Sequence, residues 1–169
     1  MTEKNPKEVA ALYLRNFIFG VEDSLVSTVG LLSGIAVAGV PKRTILISGV
    51  VLIFVEAFSM AAGSFLSEHS AEEHKAEEEL PVGTSVVAGT IMFFSYFIAG
   101  FIPFFPYLLF TSMIALYISI GISLIALFIL GAASARYSKV KVVKRGMRMF
   151  IVGGIAIGLG VFVGSLLQI

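Results

Sequence analysis

Three acidic side chains lie inside long apolar stretches of this sequence, where an ionised group is costly. Glu22 and Asp23 fall in one such stretch and Glu56 falls in the next. A charged side chain near the centre of a bilayer costs about 2.5–3.5 kcal/mol on insertion scales. No Lys or Arg occurs in the middle of an apolar stretch to pair with them. We therefore expect a cation supplied from solution to be their partner.

Ser27 and Met60 complete the candidate site, because each lies four residues from a carboxylate and shares its helix face. In two antiparallel helices Asp23 is level with Met60, and Ser27 and Glu56 meet one turn deeper. Carboxylates suit hard divalent cations, and the thioether shifts the preference modestly towards Fe²⁺ or Mn²⁺ over Ca²⁺. The alternatives are simple packing for Met60, and snorkelling or a hydrogen bond to a neighbouring helix for Glu22.

A second set of possible ligands lies in the acidic stretch 67–82, which contains both histidines of the chain. In a helical conformation it places carboxylates and imidazoles four residues apart, a spacing that helical metal sites use. The alternative is a solvated linker without a metal. The candidate residues for cytosolic metal capture are Glu68, His69, Glu72, Glu73, His74 and Glu77.

The composition indicates that these candidate residues are carried by membrane-spanning helices. Of the 169 residues, 57% are hydrophobic and 14% are charged, and the mean hydropathy is +0.98, whereas soluble proteins have about 25% charged residues. A bilayer core is crossed by about 20 apolar residues in a helix. The sequence predicts an all-α membrane protein, a single transporter domain over 1–169, with spans at 17–39, 44–66, 83–104, 108–132 and 149–168.

Charged or proline-containing segments separate the predicted spans. Residues 1–16 form a cytosolic N-terminal segment, within which 6–16 are either an amphipathic helix at the membrane interface or an extension of the first span. Residues 67–82 are predicted to be a short acidic cytosolic loop, and Pro103–Pro106 a tight hairpin before the fourth span. The last span carries glycines at a spacing that permits close helix packing: Gly154, Gly158, Gly160 and Gly164.

The basic residues predict the orientation. With a cytosolic N-terminus, ten of the twelve Lys and Arg residues lie on the cytosolic side, and only Lys42 and Arg43 lie outside. The positive-inside rule therefore favours a cytosolic N-terminus and an external C-terminus. The basic residues are not interleaved with aromatic ones, so nucleic acid is not an expected partner. Because the chain has no cysteine, thiolate metal sites are excluded.

Two motifs resemble a known family: LRNFIFGVEDSLVSTVGLLSG at 14–34 and EAFSMAAG at 56–63. Both are similar to motifs of the vacuolar iron transporters, a family that includes nodulin-21-like proteins. Residues 103–107, 131–136 and 145–149 match further landmarks of the family in order. The resemblance implies a five-helix homodimer with the pathway at the dimer interface. It also implies Fe²⁺ transport coupled to proton counter-flow, with Asp23, Glu56 and Met60 as ligands.

Two departures from the family pattern concern metal capture and selectivity. A long Glu- and Met-rich helical domain usually lies between the second and third spans, and residues 67–81 replace it here. The usual Asn-Asp-Gly of the first motif is Glu-Asp-Ser at 22–24. The second motif commonly continues Gly-Glu-Tyr, whereas this chain has Gly-Ser-Phe at 63–65.

The sequence thus predicts a transporter that exports Fe²⁺ from the cytosol by proton antiport. The first alternative is efflux of Mn²⁺, Co²⁺ or Ni²⁺ through the same site, and the second is a membrane metal sensor or scaffold that acts through His69 and His74. No nucleophile and base are arranged for catalysis, so neither an enzyme nor a resident cofactor is expected. The expected partners are metal ions, protons, the bilayer and a second copy. A prokaryotic plasma membrane is the expected location, and a vacuolar-type membrane is equally compatible with the helices.

Overall fold

The computed structural model describes residues 6–76, 83–137 and 141–167, without the side chains of 72–76. Five helices in these ranges are long and apolar enough to cross a membrane, and the described ranges contain no strand. The predicted all-α membrane fold with five spanning helices is confirmed. The helices are α1 Pro6–Val37, α2 Lys42–Ala76, α3 Gly83–Leu109, α4 Ser112–Ser134 and α5 Val142–Leu166, with a 3₁₀ turn at Ala135–Tyr137 before α5.

The first two helices extend beyond their predicted spans. α1 begins at Pro6, where the missing amide hydrogen of proline costs no helical bond, so residues 6–16 are the first turns of α1. α2 continues to Ala76, and the prediction of a loop was wrong for 67–76. No glycine or proline occurs between Gly63 and Pro81, and Glu, Ala and Lys are strong helix formers, so nothing ends the helix at the membrane surface.

The predicted hairpin at Pro103–Pro106 was also wrong. Both prolines lie inside α3, which ends at Leu109. Proline in a helix interior removes a backbone hydrogen bond, but spanning helices tolerate it when neighbouring helices and Ser or Thr side chains satisfy the backbone. Here both prolines are buried, and Ser119 Oγ of α4 donates a hydrogen bond to the Pro103 carbonyl at 2.7 Å. Packing against α4 therefore keeps this segment helical.

A side chain of α2 caps the C-terminal end of α3. Lys42 Nζ donates to the carbonyl oxygens of Leu108, at 3.2 Å, and Phe110, at 2.8 Å. The carbonyl end of a helix carries partial negative charge, so a cation there is stabilising. We expect Lys42→Met to lower the free energy of unfolding by about 1–2 kcal/mol, measured as a lower thermal midpoint in detergent.

Arg43→Met provides the matched control, because it removes the same charge from the next residue, which is exposed. A fall in the thermal midpoint as large in Arg43→Met as in Lys42→Met would contradict the capping role.

The helices are not evenly spaced. α3 makes extensive contacts with both α1 and α2, and α5 packs against α1 and α4. By contrast, α1 and α2 contact each other much less than each contacts α3. This leaves room between α1 and α2, the two helices that carry the candidate ligands.

α1 and α5 cross with their backbones in contact. Gly30 and Gly34 of α1 face Gly160 and Gly164 of α5: a Cβ atom on Gly34 would lie 2.7 Å from the Gly160 carbonyl oxygen, and Cβ atoms on the two α5 glycines would overlap α1 carbonyls. Close approach through small residues is a common way for helices to associate in membranes. Gly158, in contrast, would have nothing within 4 Å of a Cβ atom.

Candidate metal site

A cavity of about 1010 Å³ opens between the first half of α1 and the second half of α2. Its wall is completed by α3, the 3₁₀ turn and the start of α5. The volume is large enough for a cation with several water molecules, since each water occupies about 30 Å³. Its acidic and sulfur-bearing lining residues are Glu22, Glu68, Met60, Met92 and Met149.

Asp23 and Glu56 do not line this cavity themselves, but each lies close in the sequence to a residue that does. Asp23 follows Glu22, and Glu56 lies one turn beyond Met60 on α2. Both are half-buried, and their charges are close enough to interact. The structure therefore brings the two predicted carboxylates together from different helices, near the part of the cavity where Met60 lies.

A tyrosine of α3 joins this pair. The Tyr96 hydroxyl lies 2.6 Å from Ser27 Oγ, and the ring is fully buried. Tyr96 also interacts electrostatically with both Asp23 and Glu56. Ser24 Oγ donates to the Tyr96 carbonyl oxygen at 2.6 Å, which ties α1 to α3 one turn away. Ser27 lies one turn from Asp23 on α1, and its hydroxyl is engaged with Tyr96.

Glu22 has a basic neighbour that the sequence analysis did not anticipate. Arg145 of α5 lines the same cavity, and its charge interacts with that of Glu22. α5 begins at Val142 rather than at residue 149, so Arg145 belongs to its first turns and not to a loop. The expectation that all three intramembrane carboxylates lack a basic partner was wrong for Glu22.

The candidate capture residues stand on the far end of α2. Glu68 lines the cavity, and its Oε2 lies 3.7 Å from Arg15 Nη2. The His69 ring stacks on Phe65 with their centroids 5.7 Å apart. Metal capture by this segment stays a prediction. The backbones of Glu72, Glu73 and His74 are helical, and Glu77 lies outside the described residues.

The acidic pair supplies fewer ligands than the full coordination of a divalent cation requires. Among the side chains that the structure describes, no three His, Asp or Glu residues form a group able to bind a metal ion. A divalent cation between Asp23 and Glu56 would complete its coordination with the Met60 thioether, a hydroxyl, water or a second copy of the chain. Oxygen ligands with one thioether suit a first-row transition metal better than Ca²⁺.

Comparison with known proteins decides the family. The model of the VIT family matches residues 14–81 and 76–165, which include parts of all five helices. The chain belongs to the VIT family. It is also similar to vacuolar iron transporter homolog 1 of Oryza sativa subsp. japonica, with 27% identity over 86% of this chain and 70% of that protein.

Tyr96 is the residue of this VIT protein's site that sequence reasoning missed. Its segment of α3 is rich in phenylalanine, with Phe93, Phe94, Phe97 and Phe101 around it. Within this segment the hydroxyl-bearing residues are Ser95 and Tyr96, and the tyrosine is the available signal, since a buried tyrosine normally hydrogen-bonds to a partner. Sequence spacing could not show that the partner is Ser27, because α1 and α3 are distant along the chain.

We expect Tyr96→Phe to weaken cation binding by this VIT protein without unfolding it. The substitution removes the hydroxyl that holds Ser27 beside the acidic pair. One hydrogen bond is worth about 1 kcal/mol, which corresponds to roughly a 5-fold rise in the metal concentration for half-maximal uptake. Uptake into proteoliposomes at a series of metal concentrations measures this value.

Tyr117→Phe is the control for Tyr96→Phe. Tyr117 lies on α4 and its side chain is 72% exposed, so the same change should leave uptake unaltered. An unchanged half-saturation concentration in Tyr96→Phe would show that the Tyr96 hydroxyl has no part in the site.

Proposed function

We propose that this chain transports divalent transition-metal ions, with Fe²⁺ as the cargo exported from the cytosol. The observation that carries the proposal is the Asp23–Glu56 pair, which lies beside Tyr96 near the cavity between α1 and α2. Membership of the VIT family and the similarity to a protein named as an iron transporter homolog support metal transport in general. The thioether of Met60 favours Fe²⁺ over harder cations.

The charge balance of the site suits a divalent cation. Asp23 and Glu56 together carry two negative charges when ionised, and Arg145 offsets the charge of Glu22. In the proposed pathway the ion enters at Glu68, on the end of α2, where an excess of acidic over basic residues in 67–76 raises the local cation concentration. It then passes Met60 and reaches the acidic pair.

Proton antiport is the proposed coupling. A carboxylate binds metal only when deprotonated, so protons and metal compete for the same oxygens. A proton gradient therefore changes metal occupancy at the two ends of the pathway. The proposed direction rests on a cytosolic N-terminus, which the distribution of Lys and Arg favours.

A homodimer in a prokaryotic plasma membrane is the proposed assembly and location. The face of α2 next to Glu56 supports the dimer, because the hydroxyl-bearing Ser59 there is exposed. Polar side chains exposed at membrane depth require cover by protein or water. A second copy on this face would supply that cover and enclose the pathway.

The test is metal uptake into proteoliposomes that contain a metal-responsive dye. We expect wild-type chain to take up Fe²⁺, and an acidic interior to accelerate uptake. Competition with Mn²⁺, Co²⁺ and Ni²⁺ in the same assay identifies the preferred cargo. Preference for Mn²⁺ would overturn the Fe²⁺ assignment, and uptake that is indifferent to the pH gradient would overturn antiport.

A membrane metal sensor is the second candidate. It is favoured by the continuation of α2 to Ala76, which places Glu68 and His69 on a helix that extends beyond the length needed for a span. A sensor requires these residues and not Asp23. Loss of metal response in His69→Ala, with full response in Asp23→Asn, would support the sensor over the transporter.

A further inference from the structure

The N-cap residue and the first two turns of α5 carry a basic surface that the proposed metal pathway does not use. Lys141, Lys144 and Arg148 are all exposed, and we call them the α5 basic patch. Residues 80–169 contain six basic residues and no acidic residue, so this half of the chain offers no counter-charge. Among the described residues, the one acidic side chain lining the two cavities at the patch is Glu22, whose charge interacts with Arg145.

An apolar strip lies on the same side of α5. Val143, Met147 and Ile151 are 65%, 45% and 53% exposed, and each follows the previous one by four residues, so they share a face. The strip and the patch together line an open cavity of about 840 Å³ on the surface of α5, with no lining residue from another helix among the described residues. One cavity is therefore charged on one side and apolar on the other.

We propose that this cavity binds an anionic phospholipid, with the headgroup on the α5 basic patch and an acyl chain along the apolar strip. At 1.5 Å per residue, Ile151 lies about 10 Å further along the helix than Lys144. This follows the order from phosphate groups to hydrocarbon, and clusters of Lys and Arg next to a spanning helix attract anionic lipid headgroups. A soluble anion would contact only the charged side and would leave the strip uncovered.

The positive-inside rule gives a simpler explanation for the charges, since basic residues near a span also direct its insertion. That explanation needs neither the apolar strip nor the cavity. It predicts no preference among phospholipids once the protein is in a membrane. The two explanations therefore differ in a quantity that can be measured.

The test uses the full chain in nanodiscs of mixed phosphatidylcholine and phosphatidylglycerol, and native mass spectrometry counts the retained lipids after release. We expect wild type to retain phosphatidylglycerol in preference to phosphatidylcholine. Each basic residue near the membrane surface raises the affinity for an anionic lipid by roughly 5-fold. The double variant Lys144→Gln/Arg148→Gln should therefore show a preference for phosphatidylglycerol that is about 25-fold weaker than that of wild type. Equal retention of both lipids by wild type would overturn the proposal.

Lys7→Gln/Arg43→Gln is the matched control, because it removes two exposed basic side chains outside the patch. We expect it to keep the wild-type preference, and an equal loss would indicate net charge rather than this site. Inorganic phosphate should not displace the lipid from wild type. Displacement by phosphate would assign the patch to a soluble anion and overturn the proposal. This experiment uses only the wild-type protein, so it does not depend on whether the variants fold.

Discussion

Asp23→Asn and Glu56→Gln are each expected to lower metal uptake by at least about 100-fold while leaving the chain folded. The two carboxylates interact across the α1–α2 gap, and a divalent ion between them is balanced by their two charges. Leaving a charged group without its partner costs about 3 kcal/mol or more, and each 1.4 kcal/mol is about a tenfold change. The measurement is the initial rate of uptake into proteoliposomes at one metal concentration.

Glu8→Gln is the control for these variants. Glu8 lies in the first turn of α1 and is exposed. The substitution Glu8→Gln therefore makes the same chemical change as Glu56→Gln, but outside the proposed pathway. Circular dichroism and size-exclusion profiles identical to wild type establish that each variant is folded. Wild-type uptake by either Asp23→Asn or Glu56→Gln would exclude the acidic pair from the pathway.

Gly160→Val is expected to destabilise the fold strongly, because Gly160 is one of the two α5 glycines that lie against α1 backbone carbonyls. A Cβ atom at this position would overlap the Gly30 carbonyl of α1, and backbone atoms cannot move aside as a side chain can. Overpacking costs about 1–3 kcal/mol and occasionally more, and we expect the upper end here. That corresponds to a thermal midpoint lower by roughly 10 °C, followed by circular dichroism because the chain has no tryptophan.

Gly158→Val is the control that distinguishes loss of the α1–α5 backbone contact from the general effect of placing valine in a helix. The two glycines are two residues apart on α5, but Gly158 has no atom within 4 Å of its Cβ position. We expect Gly158→Val to stay near the wild-type midpoint. Equal destabilisation by both substitutions would mean that the α1–α5 backbone contact does not limit stability.

The number and type of the helices could be predicted because they depend on local properties. A spanning helix requires about 20 consecutive apolar residues, and five stretches of the chain provide them. The candidate ligands were also visible, since Asp23 and Glu56 are costly exceptions within apolar stretches. Their proximity followed from antiparallel pairing of the first two helices, and their charges do interact in the structure.

The ends of the helices were predicted less well, because they depend on neighbours. Pro103 and Pro106 suggest a break, yet packing keeps them within α3, where Ser119 bonds to the Pro103 carbonyl. α2 passes the membrane boundary without a break and reaches Ala76. Hydropathy reports where a helix leaves the bilayer and does not report where the helix ends.

Five apolar helices, and the candidate oxygen and sulfur ligands on the first two of them, can be recognised from local sequence alone. Length and hydrophobicity are sufficient for that, since each span forms its own backbone hydrogen bonds. Only the tertiary structure decided that Tyr96 meets Ser27, that Arg145 lies by Glu22, and that Gly160 touches α1. These contacts depend on how each helix is rotated and which helices are neighbours. Packing sets both, because it acts between residues that are far apart in the chain.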